Sequence, residues 1–431
     1  MTYNTVSVEG SQFGDEGKGK LTDYLGTQAD MVVRYQGGNN AGHTVEINGV
    51  KHALRSLPSG IYNPKVLNVI ANGVVVNPFA LLDELDENLK AGLKDFHLAI
   101  SNRAHLILPS HIALDGALEE KLGDNKIGTT KRGIGPCYSD KARRIGVRVG
   151  DLLYPDYLKE RLHGLLVIDN AELVAFGKEP IAEEDLYQKL LQAAERLKPF
   201  ITDTEVLINS YIDQGKRVVF EGAQGSLLDL DHGTYPYVTS SSPTSISIPV
   251  NAGIAPCKIH KVLAIMKAYM TRVGAGPMPS EQNNDWGNAI REKGHEYGVV
   301  TKRPRRVGYL DLVLVGYTCR ISGVTDIALM LFDVLEGVDE LKICTGYELD
   351  GKVIDFVPAS EPEYARCKPI YKDFKTIPAF DAKTIRTFKD LPKEAQDYLA
   401  FIEKSLNAHI SILSLGPDRD QTVVFHPIFE A

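Results

Sequence analysis

The sequence predicts an α/β protein built on a large, mostly parallel sheet wound with helices. Two observations carry that reading. Short apolar runs rich in β-branched residues recur at 30–35, 66–70, 217–223, 261–266, 326–333 and 409–416, most of them bounded by Gly, Pro, Asn or Asp. Strands buried on both faces look like this. Helical patterns lie between them, clearest at 184–198 and 392–406 and weaker at 203–212. Such alternation favours helices on both sides of one sheet.

Along the chain, a first strand carrying Val6 and Val8 leads into a glycine-rich turn and then a helix-compatible run at 18–25. The strand at 30–35 leads into a second glycine-rich segment. Two later stretches, 239–249 (TSSSPTSISIP) and 279–288 (PSEQNNDWGN), are rich in polar and turn residues. They are expected to be loops over a site, because nothing near them resembles a linker. With no internal repeat either, the expectation is one domain, 1–431, carrying loop and helical insertions.

Composition excludes several classes. A net charge of −8 over 431 residues argues against a dominant nucleic-acid or anionic-membrane role. No apolar run reaches the ~18–20 residues that span a bilayer. The start, MTYNTVSVEG, has no basic segment followed by an apolar one, so the expected location is cytoplasmic. Five scattered cysteines without a CxxC pair are expected to be buried free thiols.

The first glycine-rich stretch, 10–21, reads GSQFGDEGKGKL. A turn of this kind between strand and helix aims backbone N–H groups and a helix N-terminus at an anion. Residues 14–20 fit GxxxxGK, yet Leu21 stands where a P-loop has its Mg²⁺-holding Ser or Thr. Asp15 is the nearest replacement ligand, since hard cations take carboxylate oxygen. In the second stretch, 34–44 (RYQGGNNAGHT), His43 sits at a strand end. If the two strands are parallel neighbours, Asp15 and His43 face one ligand as an acid and an imidazole.

These two stretches resemble adenylosuccinate synthetases. Similar motifs follow in family order: 128–144 (GTTKRGIGPCYSDKARR), 220–241 (FEGAQGSLLDLDHGTYPYVTSS), 267–281 (KAYMTRVGAGPMPSE), 303–311 (RPRRVGYLD), 332–338 (FDVLEGV) and 414–419 (SLGPDR). The resemblance implies a P-loop-like GTP-binding ligase fold with long active-site loops. It also implies a Mg²⁺-dependent reaction joining IMP to L-aspartate as GTP is hydrolysed, the first committed step of AMP synthesis. In that family the loop aspartate, here Asp15, takes the N1 proton of IMP, and the 6-oxyanion attacks the γ-phosphate. The histidine, here His43, assists as 6-phosphoryl-IMP forms.

By the same resemblance Asp15, Lys18, His43 and Gln224 are catalytic, and Asp15 with the Gly42 carbonyl holds Mg²⁺. GTP is expected at Gly14, Asp15, Glu16, Gly17, Lys18, Gly19, Lys20, Gly42, His43, Thr44, Arg305, Leu331, Asp333, Ser414 and Gly416. IMP is expected at Asp15, Lys18, Asn40, Ala41, Gly42, His43, Thr130, Gln224, Thr239 and Arg303. Arg144 reaches the IMP of a neighbouring subunit, implying a homodimer. Aspartate is expected at Val299, Val300, Thr301, Arg303 and Arg305, and an arginine fork suits a dicarboxylate on physical grounds as well. Read without the resemblance, the basic runs at 131–132, 141–144 and 303–306 are better taken as a solvated face, as charge runs usually are.

Some positions depart from the family pattern. Val300 and Lys302 replace a hydroxyl and a glycine in the aspartate loop, Leu331 replaces a lysine before Asp333, and 242–247 reads SPTSIS. These changes leave open a ligase of the same fold taking another purine monophosphate, amino acid or ATP. A nucleotide-binding switch without ligase activity is the alternative of another class; the IMP-site matches have no use in it.

Overall fold

The computed structural model describes residues 4–40, 42–47, 50–123, 127–298, 303–416 and 421–429. The seven expected strands pair, together with His97–Ser101, Ile201–Thr202 and Thr422–Val424, which the sequence did not single out, into one ten-stranded sheet. From edge to edge it runs Thr422–Val424, His409–Ser414, Asp326–Met330, Lys261–Lys267, Thr5–Gly10, Val218–Glu221, Met31–Arg34, Leu67–Ile70, His97–Ser101 and Ile201–Thr202. Every pairing is parallel except that of the first two strands in this order. The C-terminal ends of the central strands therefore share one edge, which carries Gly10, Arg34, Glu221 and Lys267.

Both faces of the sheet are covered, which is why its strands read as continuous apolar runs. Val32 packs with Leu21 and Leu25 of the helix Lys18–Gly26 on one face. Its neighbours Met31 and Val33 pack with Ile208 and Ile212 of the helix Thr204–Asp213 on the other. A further helical layer, Pro109–Leu122, Ile134–Arg143, Pro155–Ala175 and Glu183–Leu197, stands beside the Leu67–Ile70 end of the sheet. No helix among the described residues is long and apolar enough to cross a membrane.

Five expectations need correction. Thr5–Gly10 and Met31–Arg34 are parallel but not neighbours, because Val218–Glu221 lies between them and pairs with both. A helix about 10 Å wide crossing strands spaced ~4.8 Å apart leaves room for one intervening strand. The stretch read as a loop at 279–288 begins the helix Asp285–Lys293, whose N-terminus Asn284 caps by accepting the Gly287 N–H at 3.0 Å. Its polar residues are cap chemistry. Likewise 239–249 runs into the short helix Ile248–Ala252. The strand expected over 326–333 stops at Met330, where Leu331 turns into the left-handed region at φ 56°. The cysteines are free, but Cys257 is exposed.

The buried Glu9 makes a testable pH device of the sheet edge. Burial pushes its carboxyl up to about 7, against a hydrogen bond donated by the Ser245 N–H. The folded chain thus holds a proton here that the unfolded chain releases near pH ~4.3. Stability from this group is full below that value and is lost as pH rises through about 7. Glu9→Gln should raise the melting temperature at pH 8, with the gain shrinking to little by pH 5, as calorimetry across that range would show.

Candidate active site

The first glycine-rich stretch folds around one of its own acids. Glu16 is fully buried; its Oε1 accepts the N–H groups of Gln12 at 3.2 Å and Gly14 at 2.8 Å, and its Oε2 pairs with Lys18 Nζ at 2.6 Å. Gly10 and Gly225 make room for that carboxylate, since a Cβ would lie 2.3 and 2.6 Å from its oxygens. The loop turns through positive φ at Gly14, Asp15 and Gly17, and the Lys18–Gly26 helix starts from Gly17. Glu16 thus closes the loop from within, while Asp15 is turned outward and is 53% exposed.

The loop forms one wall of a cavity of about 640 Å³. Gly14, Asp15, Gly17, Lys18, Gly19, Lys20, Asn40, Gly42, His43, Thr130, Gln224, Thr239 and Arg305 all line it. Most of the residues expected to act are thus brought together, although they come from separate strand ends. Both polar atoms of the Gln224 amide are buried without a hydrogen-bond partner, as is Arg305 Nε. Buried polar groups left unmatched in a cavity wall suit a polar ligand.

Two acids unforeseen in the sequence hold His43 and Arg305 in place. His43 Nδ1 pairs with Glu221 Oε1, and Glu221 Oε2 accepts the Ser59 N–H at 2.9 Å and Oγ–H at 2.7 Å. Burial alone would raise the Glu221 carboxyl, but the charge and hydrogen bond of His43, with Arg34, more than reverse this and hold it at about 2. On the other side, Arg305 bridges Asp15 Oδ2 at 2.9 Å and Glu296 Oε2 at 2.6 Å. Within the helical layer, Asp115 and Glu119 accept N–H groups of Ile127, Gly128, Thr129 and Gly133, shaping the loop that carries Thr130. Glu221 ends an apolar strand within the 220–241 motif, a readable signal; Glu296, Asp115 and Glu119 had none.

Other expected residues lie off the main cavity. Lys20 Nζ donates to Ser414 Oγ at 3.0 Å and to the Gly416 carbonyl at 2.8 Å, so the 414–416 segment borders the phosphate loop. Asp333 stands in the turn Phe332–Leu335; burial raises its carboxyl above the usual range, and its Oδ1 has no hydrogen-bond partner. Leu331 packs partly buried against the apolar core. Arg144 is exposed just past the helix Ile134–Arg143, at φ 67°. Arg303 is exposed, and its carbonyl accepts the Gly298 N–H at 2.8 Å. Thr44 belongs to the strand His43–Ile47. Ala41, Val299, Val300 and Thr301 lie outside the described residues, as does Lys302.

One cluster has the composition of a metal site, His111, Asp140 and Asp169, all buried. The hydrogen bonding contradicts that role. His111 Nδ1 accepts the Leu108 N–H at 2.9 Å, so the ring proton sits on Nε2 and points to Asp140 Oδ2 at 3.1 Å. A nitrogen bearing that proton cannot ligate. Asp15 and Gly42, in contrast, both line the cavity, and a carboxylate and a backbone carbonyl are oxygen donors of the type Mg²⁺ takes.

The geometry has a counterpart among known proteins. A model of the family described as adenylosuccinate synthetase matches residues 7–423. The chain belongs to the adenylosuccinate synthetase family. Adenylosuccinate synthetase of Thermoanaerobacter sp. (strain X514) is 50% identical over 98% of this chain and 99% of that protein. The enzyme of Ligilactobacillus salivarius (strain UCC118) is 48% identical over 99% of each. Among solved structures, fully ligated adenylosuccinate synthetase from Plasmodium falciparum superposes with a TM-score of 0.90 at 37% identity, covering 98% of this chain and 100% of that one. A cyanophage S-2L succinoaminodeoxyadenylate synthetase shares the fold, at a TM-score of 0.61 and 21% identity. Family membership covers the phosphate loop, the His43 segment and the 303–311 stretch alike.

Proposed function

We propose that this protein joins IMP to L-aspartate with GTP hydrolysis, giving adenylosuccinate, GDP and phosphate in AMP synthesis. The observation that carries this reading is the convergence of Asp15, Lys18 and His43 on one cavity from two separate strand ends. Asp15 takes the N1 proton of IMP, and the resulting 6-oxygen attacks the γ-phosphorus. The bond to the β–γ bridging oxygen breaks and GDP leaves. His43, oriented by Glu221, donates to the 6-oxygen as its phosphoryl ester forms. The amino nitrogen of aspartate then attacks C6 and phosphate departs. Lys18 and the loop N–H groups offset the charge that builds on the transferring phosphoryl group.

Gln224 and Asn40 meet IMP with Thr130 and Thr239, and Arg305 with Arg303 takes the aspartate carboxylates. Asp333, with its unmatched buried oxygen, reads the N1–H and N2–H₂ edge of guanine. Asp15 and the Gly42 carbonyl would hold Mg²⁺, which supplies positive charge to the phosphates when bound. The exposed Arg144 serves the IMP site of a second subunit in a homodimer, and the protein works in the cytoplasm.

The test is phosphate release together with the absorbance change of succinyl-purine formation, with Mg²⁺, GTP, IMP and L-aspartate present. Turnover should require all three substrates and stop with chelator. Turnover that appears only when ATP, another amino acid or another purine monophosphate is supplied would overturn the reading.

A further inference from the structure

Behind Arg305 lies a chain of charges that the reaction as written does not use. Glu296 is 1% exposed and takes three donors: Lys267 Nζ at 2.7 Å and Tyr269 OH at 2.6 Å on Oε1, and Arg305 at 2.6 Å on Oε2. Lys267 is equally buried, and its ammonium also donates to Thr271 Oγ1 at 2.8 Å. From the cavity inward the order is therefore Asp15, Arg305, Glu296, Lys267, with acid and base alternating. Glu296 and Arg305 are joined a second time through the backbone, where the Arg305 N–H donates to the Glu296 carbonyl at 2.9 Å. The bridge between Tyr297 and Pro304 continues that pairing.

We infer that Glu296 is a positioning residue, which aims the Arg305 guanidinium at Asp15 and at the substrate carboxylate bound beside it. A guanidinium has five donors in a rigid fork. Two of its nitrogens are committed here, one to Glu296 and one to Asp15, while Nε remains unmatched. Glu296 is itself immobilised, because Lys267 and Tyr269 hold its other oxygen. Lys267 therefore works at one remove, and the orientation of Arg305 is set from inside the fold, not by solvent. The kinetic part of this inference rests on the proposed role of Arg305 toward L-aspartate; the geometric part does not.

The competing role is a counter-ion, in which Glu296 merely neutralises buried Lys267. Three variants separate the two: Glu296→Gln, Lys267→Met and the double variant. Glu296→Gln puts an amide against two cations and should raise the KM for L-aspartate about 10- to 100-fold, the loss expected for one charge-assisted hydrogen bond. The KM for IMP should stay within roughly threefold, since uniform damage to the site would move it as well. Removing both buried charges in the double variant should recover the melting temperature but keep the raised aspartate KM. A double variant with wild-type aspartate KM would show a counter-ion and overturn the proposal. A crystal structure of Glu296→Gln gives an answer independent of turnover. Arg305 withdrawn from Asp15 supports positioning, whereas an unchanged ion pair refutes it. Should the wild type fail to consume its three substrates, the functional reading falls while this structural comparison still decides the inference.

Discussion

Asp15→Asn should lower kcat by about 10²–10⁴-fold, the contribution of a positioned general base, while leaving the protein folded. The stability half of this expectation follows from geometry. The Asp15 side chain is 53% exposed and makes its ion pair with Arg305 at the cavity wall, where the pairing contributes little. Its unusual backbone, φ 58°, is one that asparagine adopts as readily. The amide keeps the shape but cannot accept the N1 proton, and it is a poorer ligand for a hard cation. Single-turnover phosphate release and a thermal melt on the same preparation check both halves. Near-normal turnover would move the base to another residue and dismantle the proposed mechanism.

Glu221→Gln should cost both stability and turnover, because here the acid is inside. Glu221 is fully buried, with one oxygen on His43 and the other on Ser59. Removing one member of a buried, hydrogen-bonded pair typically costs ~3–5 kcal/mol. The loss of turnover should appear in kcat more than in the KM for GTP, since His43 loses its orientation while the phosphate loop is untouched. The pH dependence follows in sign. The folded carboxyl titrates at about 2, the unfolded one near ~4.3. Its stabilisation is therefore complete above ~4.3 and is lost as pH falls toward about 2. Acid unfolding of the wild type should carry this component, and the Gln variant should lack it. Equal acid midpoints in the two proteins would remove Glu221 from the account.

The sheet was legible because its strands are buried on both faces. A strand such as Met31–Arg34 is apolar at its first three positions, each packed against a helix on one face or the other, so it stands out from any loop. Helices were legible where one face alone is buried, as in Glu183–Leu197, where Leu186, Leu190 and Leu197 recur at helical spacing. The candidate site was legible in its local motifs, since a glycine-rich turn does its work within a few residues. Asp15, Lys18 and His43 were found that way, and they line one cavity as expected.

What the sequence alone determined is seven of the ten sheet strands, the glycine-rich loop and the residues Asp15, Lys18 and His43 that line one cavity, because each depends on neighbours within one turn or one strand. Tertiary structure decided the rest. It inserted Val218–Glu221 between two strands that follow each other in the early chain, and so delivered Glu221 to His43 across 178 positions. It turned Glu16 inward while Asp15, one residue earlier, faces the cavity. It also set Glu296 behind Arg305, with Lys267 beneath. In each case the partner of a buried charge is chosen by folding, because a group that stays charged when desolvated needs a counter-charge wherever the packed chain supplies one.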